Sequence, residues 1–196
     1  MKKQALFVGR FQPFHMGHLS VIKNALKKED RLVIVIGSAE ENHEPANPFT
    51  ASERYQMIEE TLMAEKIKPE KFVIIPVRNV ENFMLWTAHV DQYIPPVYKV
   101  YTGSQIVKEL YENYGKYKIE SIKLVAEKTG SKFGEKISGT ISGTKPGSKF
   151  GEKISGTLIR EKMLASDKSW EKMVHPKVVE LIKKWKGVER LKMITV

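Results

Sequence analysis

The sequence predicts an α/β fold: a parallel sheet with helices on both faces and a short helical region at the C-terminus. Three observations predict it. Short apolar, β-branched runs alternate along the chain with segments of helical spacing. The runs are continuous and do not alternate with polar residues, Leu32–Gly37 (LVIVIG) most clearly, as in strands covered on both faces. The connections between runs are long enough for crossover helices.

Gln4–Gly9 (QALFVG) reads as the first strand and Leu19–Leu26 as the helix that follows it. After the second strand, Leu32–Gly37, Thr50-Ala-Ser-Glu53 is a capping box that opens a helix running to about Ala64. Phe72–Val77 is a third strand, and Trp86–Tyr93 a helix ending before Pro95-Pro96. Val97–Thr102 is a fourth strand, followed by a helix over Gln105–Tyr114 and a fifth strand over Tyr117–Val125. Thr157–Leu164 and Pro176–Trp185 read as closing helices. Ligands of such sheets bind beyond the carboxyl ends of the strands. The loops to inspect are therefore Gly9–His18, Gly37–Pro48, Val77–Trp86, Thr102–Gln105 and the stretch before Arg160.

With 196 residues, 41% of them apolar and 29% charged, the chain has the make-up of a globular domain, not of a disordered segment. It has no cysteine, which excludes disulfides and thiolate metal sites and fits a reducing compartment. No run is long enough to span a bilayer, and the apolar stretch Ala5–Val8 is too short for a signal peptide. The expectation is a soluble, cytoplasmic protein with no membrane partner. The net charge of +10 comes wholly from residues 99–196, which points to polyanionic partners or to a solvated lysine-rich surface.

One segment interrupts the alternation. GSKFGEKISGT stands at Gly130–Thr140 and again at Gly147–Thr157, with a partial copy, Ile141–Thr144, between them. Two copies make no solenoid. A duplication that lengthened one surface loop is expected, flexible, with a β-hairpin excursion at most, and a candidate lid.

The strongest chemical signal is Gly9-Arg10-Phe11-Gln12-Pro13-Phe14-His15-Met16-Gly17-His18, between the first strand and the first helix. Gly9 permits close approach to the backbone. Both imidazoles can reach the space above the helix N-terminus, where amides and the helix dipole also favour anions. With Arg10 they make a phosphate site, and a phosphoryl group under attack is stabilised by fixed donors around its oxygens. A second signal is Ser155-Gly156-Thr157-Leu158-Ile159-Arg160. Ser155 can cap the helix that follows, while Thr157 and Arg160 can meet a further phosphate group. His43, His89 and His175 have no ligand spacing.

Together these motifs resemble the nucleotidyltransferase superfamily that carries HxGH and a C-terminal (S/T)xxxxR-type phosphate loop. Gly37-Ser38-Ala39, Asn47–Arg54 (NPFTASER), Leu85-Trp86, Tyr101-Thr102-Gly103-Ser104 and Gly187-Val188-Glu189-Arg190 are similar to archaeal-type nicotinamide mononucleotide adenylyltransferases. The resemblance implies a Rossmann-like nucleotidyltransferase domain over residues 1–196, with a duplicated loop at 128–153 and C-terminal helices at 160–196. It implies adenylyl transfer from ATP to nicotinamide mononucleotide, giving NAD and pyrophosphate. It also implies Mg²⁺ or another divalent cation held mainly by the ATP phosphates, and a hexamer. By the same resemblance, His15, His18, Arg10 and Arg160 are catalytic. Gly9, Phe11, Ser155 and Thr157 join them around ATP, and Gly37, Ser38, Trp86, Asn79 and Asn82 receive the mononucleotide.

The chain departs from the family pattern at Asn79, where Asp is usual, at Phe83, where Asn is usual, and at Ala46, where some members carry Arg. Adenylyl or cytidylyl transfer to another phosphorylated acceptor, such as phosphopantetheine or FMN, is the alternative enzyme reading. A non-catalytic basic nucleotide- or RNA-binding module rests on charge alone, and no RNA-binding motif accompanies the lysines.

Overall fold

The computed structural model describes residues 3–122 and 154–195. Its strands are β1 (Gln4–Gly9), β2 (Arg31–Ile36), β3 (Phe72–Pro76), β4 (Lys99–Thr102) and β5 (Lys118–Ser121). They form a parallel sheet in the order β3-β2-β1-β4-β5. The chain steps from β1 out to β3, then returns to place β4 on the other side of β1. The crevice beyond the ends of β1 and β4 is the switch point at which such sheets bind ligands.

The helices are α1 (Met16–Leu26), α2 (Ala51–Ala64), α3 (Trp86–Asp91), α4 (Gln105–Tyr114), α5 (Gly156–Leu164), α6 (Pro176–Lys184) and α7 (Gly187–Ile194). Alternate strand residues divide the core. Ala5, Phe7, Leu32, Ile34 and Ile36 pack with Leu19 and Ile22 of α1, Met57 and Ile58 of α2, and the C-terminal helices through Ile159, Met163 and Ile182. Leu6, Val8, Val33, Val35 and Val100 pack with Trp86 and Val90 of α3 and with Leu110 and Tyr111 of α4. The continuous apolar runs are thus strands buried on both faces, as their sequences require.

The Thr50 box forms as read: Glu53 N–H donates to Thr50 Oγ1 at 3.2 Å, and Thr50 N–H to Glu53 Oε2 at 2.9 Å. The differences lie at ends and in the tail. Helix α1 starts at Met16, ahead of the expected Leu19, because His15 is itself the extended residue before the first turn. Strand β4 starts at Lys99, two residues after the expected Val97, and α3 stops at Asp91. Helix α7 lies within the C-terminal helical region expected over 160–196, but the sequence gives no start signal for it: it follows Lys186, a left-handed residue (φ 52°) whose side chain makes no cap. Of the expected strand Tyr117–Val125, Lys118–Ser121 is β5, and residues 123–125 lie outside the described residues. So does the repeat up to Lys153. No helix among the described residues is long and apolar enough to cross a membrane.

Candidate active site

The loop after β1 folds back on itself. Phe11 is left-handed (φ 54°) and its buried ring lies over Gly9, where a Cβ would stand 2.7 Å from Phe11 Cε1. Glycine is needed at position 9 for that reason. Gln12 is buried and pairs doubly with the backbone of Phe49: its amide donates to the carbonyl at 2.9 Å and its oxygen accepts the N–H at 3.0 Å. This ties the loop to the start of α2.

His15 and His18 stack with ring centroids 3.6 Å apart. His18 is packed by Phe11 at 4.8 Å, Phe14 at 5.6 Å and Phe7 at 6.1 Å. Its Nδ1 accepts the His15 backbone N–H at 3.2 Å, so the ring proton of the neutral form sits on Nε2 and points away from that bond. The Met16 amide donates to Met173 O at 3.0 Å. Two amides that the sequence offered to an anion are therefore already used inside the protein.

Burial holds both imidazoles neutral. The pKa of His15 is pushed down to about 3, and that of His18 lies well below its ordinary value through burial and then the nearness of His15. These rings act as N–H donors, and the positive charge at the site comes from arginine. The unfolded chain binds protons near pH 6.5 that the folded chain refuses, so this stability is full above 6.5 and is lost as pH falls toward 3. The expected slope for His15 is about 1.4 kcal/mol per pH unit within that window. Urea unfolding between about pH 6.5 and 4.5 should show His15→Asn losing less stability than the parent; equal slopes would mean that His15 is not held neutral.

Helix α5 brings the second signal to the same loop. Ser155 Oγ accepts Leu158 N–H at 3.2 Å and caps the helix. Arg160 donates from Nη1 to Gln12 O at 2.7 Å and from Nη2 to Thr157 Oγ1 at 3.4 Å. Burial, and then Arg10 nearby, lower the Arg160 pKa. At Gly156 a Cβ would meet Gln12 O at 2.6 Å. Gly156→Ala should push α5 off the loop and cost about 1–3 kcal/mol, read as a lower midpoint in urea unfolding. An unchanged midpoint would mean that α5 can slide.

A cleft of about 440 Å³ opens beside this cluster, over the ends of β1 and β2 and against the turns after β3 and β4. Gly9, Arg10, Gly37, Ser38, Asn79 and Trp86 line it, joined by Glu41, Phe83 and Ser104. Trp86 is both core and wall: it is 3% exposed and packs on Tyr111, yet its Cζ2 stands 3.6 Å from where a Gly37 Cβ would be. Asn82 is exposed, does not line the cleft, and accepts the Met84 N–H at 3.1 Å.

The sequence profile of the cytidylyltransferase-like family matches residues 6–162. Nicotinamide-nucleotide adenylyltransferase of Archaeoglobus fulgidus is 38% identical over 98% of this chain and 97% of its own. That of Thermoplasma acidophilum is 36% identical over 99% and 93%. The chain belongs to the archaeal-type nicotinamide-nucleotide adenylyltransferase family. A bifunctional NMN adenylyltransferase/ADP ribose pyrophosphatase from Francisella tularensis shares the fold, with a TM-score of 0.72 at 21% identity over 98% of this chain. The chain spans about half of that protein, 53%. A second Francisella tularensis structure, complexed with AMP and Mn ion, superposes with a TM-score of 0.68.

Within this family fold, the structure brings Gly9, Arg10, His15, His18 and Arg160 together at the end of β1. Trp86, Gly37, Ser38 and Asn79 lie in the adjoining cleft, and Asn82 stands apart. Two residues without an assigned role in the sequence help to build the cleft, Arg54 from behind its loops and Glu41 in its lining. Arg54, fully buried, donates to six backbone carbonyls: Thr50, Arg10, Gly37, Ser38, Ala39 and Glu41, at 2.9–3.4 Å. Its signal was a lone arginine on the apolar face formed by Met57, Ile58, Thr61 and Leu62. Glu41 carried no signal at all.

Proposed function

We propose that the chain transfers the adenylyl group of ATP to nicotinamide mononucleotide, giving NAD and pyrophosphate. The observation that carries this reading is the meeting of Arg10, His15, His18 and Arg160 at one strand end, beside a cleft walled by Trp86 and Asn79. A 5′-phosphate oxygen of the mononucleotide attacks the α-phosphorus in line. The bond from that phosphorus to the bridging oxygen breaks, and pyrophosphate leaves with the electron pair. The attacking group is already an anion, so no protein base is needed. Catalysis is positioning and charge stabilisation.

His18 donates from Nε2 toward the triphosphate, with His15 beside it. Arg160 keeps guanidinium N–H groups beyond those bonded to Gln12 and Thr157, and with Ser155 and Thr157 it holds the β- and γ-phosphates. Arg10 and the backbone from Gly9 to Phe11 flank the chain of phosphates. Trp86, Gly37 and Ser38 receive the nicotinamide ring. These side chains are N–H donors and cations, a set suited to anions. A divalent cation, Mg²⁺ in this reading, takes oxygen ligands and enters on the phosphates of its ATP complex as part of the substrate. On resemblance alone we place the enzyme in the cytoplasm as a homo-hexamer, which light scattering would check.

The test is NAD formation from ATP, Mg²⁺ and nicotinamide mononucleotide, coupled to a dehydrogenase. Pyrophosphate release with phosphopantetheine and FMN runs in parallel. NAD formation and no release with the other acceptors is expected. Release with another acceptor alone would keep adenylyl transfer and replace the mononucleotide.

A further inference from the structure

We propose that Glu41 makes this site select the mononucleotide whose ring bears a neutral carboxamide over the one whose ring bears a carboxylate. The proposal rests on the acceptor reading above. Glu41 lines the cleft with Ser38, Asn79, Phe83 and Trp86. Its Oε1 accepts from Asn79 Nδ2 at 2.8 Å and its Oε2 from Asn47 Nδ2 at 2.7 Å. Both oxygens are thus fixed by neutral amides, and among the described residues no lysine or arginine side chain forms an ion pair with it. Buried Arg54, whose charge Glu41 feels, bonds the Glu41 backbone carbonyl at 3.3 Å and turns its other donors to further carbonyls, so it makes no direct pair with the carboxylate.

Asn79 is committed in the same way. Its Nδ2 donates to Ser38 Oγ at 3.0 Å as well as to Glu41, so its side chain has only the acceptor Oδ1 left for a ligand. Glu41 and Asn79 therefore form a wall rich in acceptors, with one carboxylate that no cation bonds directly and that buried Arg54 offsets only from a distance. Arg10, the cation in the cleft lining, belongs to the loop that carries the histidines, where the reading above puts the phosphates. A carboxamide brings two N–H donors to such a wall. A carboxylate brings only acceptors and a like charge, which is disfavoured at short range in a site of reduced dielectric.

The experiment compares kcat/KM for nicotinamide mononucleotide and nicotinic acid mononucleotide in the full chain, Glu41→Gln, Glu41→Ala and Glu44→Gln. The parent should prefer the carboxamide by about tenfold or more, the size of a like-charge repulsion at a few ångströms. Both Glu41 variants should lose most of that preference, chiefly by gaining rate with the acid. Glu44 is exposed on the same loop and does not line the cleft, so its variant removes equal charge and should keep the parent ratio. A purely structural role for Glu41 would lower both rates and leave their ratio intact, and that result overturns the proposal. Equal use of the two mononucleotides by the parent overturns it without any variant. If the parent makes no dinucleotide from either, the acceptor reading fails first and takes this proposal with it.

Discussion

Arg54→Ala is expected to destabilise the chain by about 3–5 kcal/mol and to lower NAD formation by at least about a hundredfold. The cause is geometric. Arg54 is 0% exposed and, among the described residues, forms no ion pair with a carboxylate; its guanidinium bonds carbonyls from two separate loops, Arg10 after β1 and Gly37 to Glu41 after β2. Burial brings its pKa down to about 10, while Glu41, Glu40 and Glu53 oppose that fall, so the group stays charged at neutral pH. Alanine would leave several buried carbonyls without donors, each costing about 1–3 kcal/mol unless water enters. Ser38 is held at φ 49°, a conformation that a serine keeps only while its surroundings impose it. Without the fork, that turn and the cleft wall built on it lose their reason to persist. Arg54→Lys retains the charge but offers three donors from one point, which cannot reach both loops. Urea unfolding and kcat/KM for both variants are the measurements. Full recovery by lysine would show that charge, and not the planar fork, holds the loops.

Most of the scaffold was legible because its signals are local. The run at β2 is apolar at every position after Arg31 and is buried on both faces, and the Thr50 and Glu53 pair forms the cap that its spacing announces. The His15 to His18 loop was legible as a candidate phosphate site, but its electrostatics were not. Whether an imidazole is a cation or a neutral donor depends on what surrounds it, and Phe7, Phe11 and Phe14 reach His18 only once β1 and α1 pack. Asn82 was placed at the cleft by adjacency to Phe83, yet its side chain closes a local turn instead. Glu41 is one of several acids in a polar loop. What sets it apart is a pair of amides, Asn47 and Asn79, the second of them 38 residues away. Long-range partners of this kind leave no pattern in a single sequence.

His18→Ala is expected to lower kcat for NAD formation by about 10²–10³-fold, the usual loss when one preorganised donor to a developing charge is removed. The ring is fixed before substrate arrives: Nδ1 is tied to the His15 amide, and aromatic rings and His15 pack around it. Nε2–H therefore costs no reorganisation when the triphosphate gains charge at its leaving oxygens. Because burial keeps the ring neutral, the role proposed for it is that of an N–H donor and not of a fixed cation. That distinction predicts an order among variants. His18→Gln carries a neutral N–H donor and should retain more activity than His18→Ala. His18→Lys brings a charge into an aromatic pocket that disfavours it, and should do worse than glutamine. The ATP KM should change far less than kcat in His18→Ala, since the groups proposed to hold the phosphates, Arg160 and the α5 cap, are unchanged. If lysine instead proved the best replacement, the imidazole would be acting as a cation in the transition state, and the substrate's own charge would have to be what protonates it.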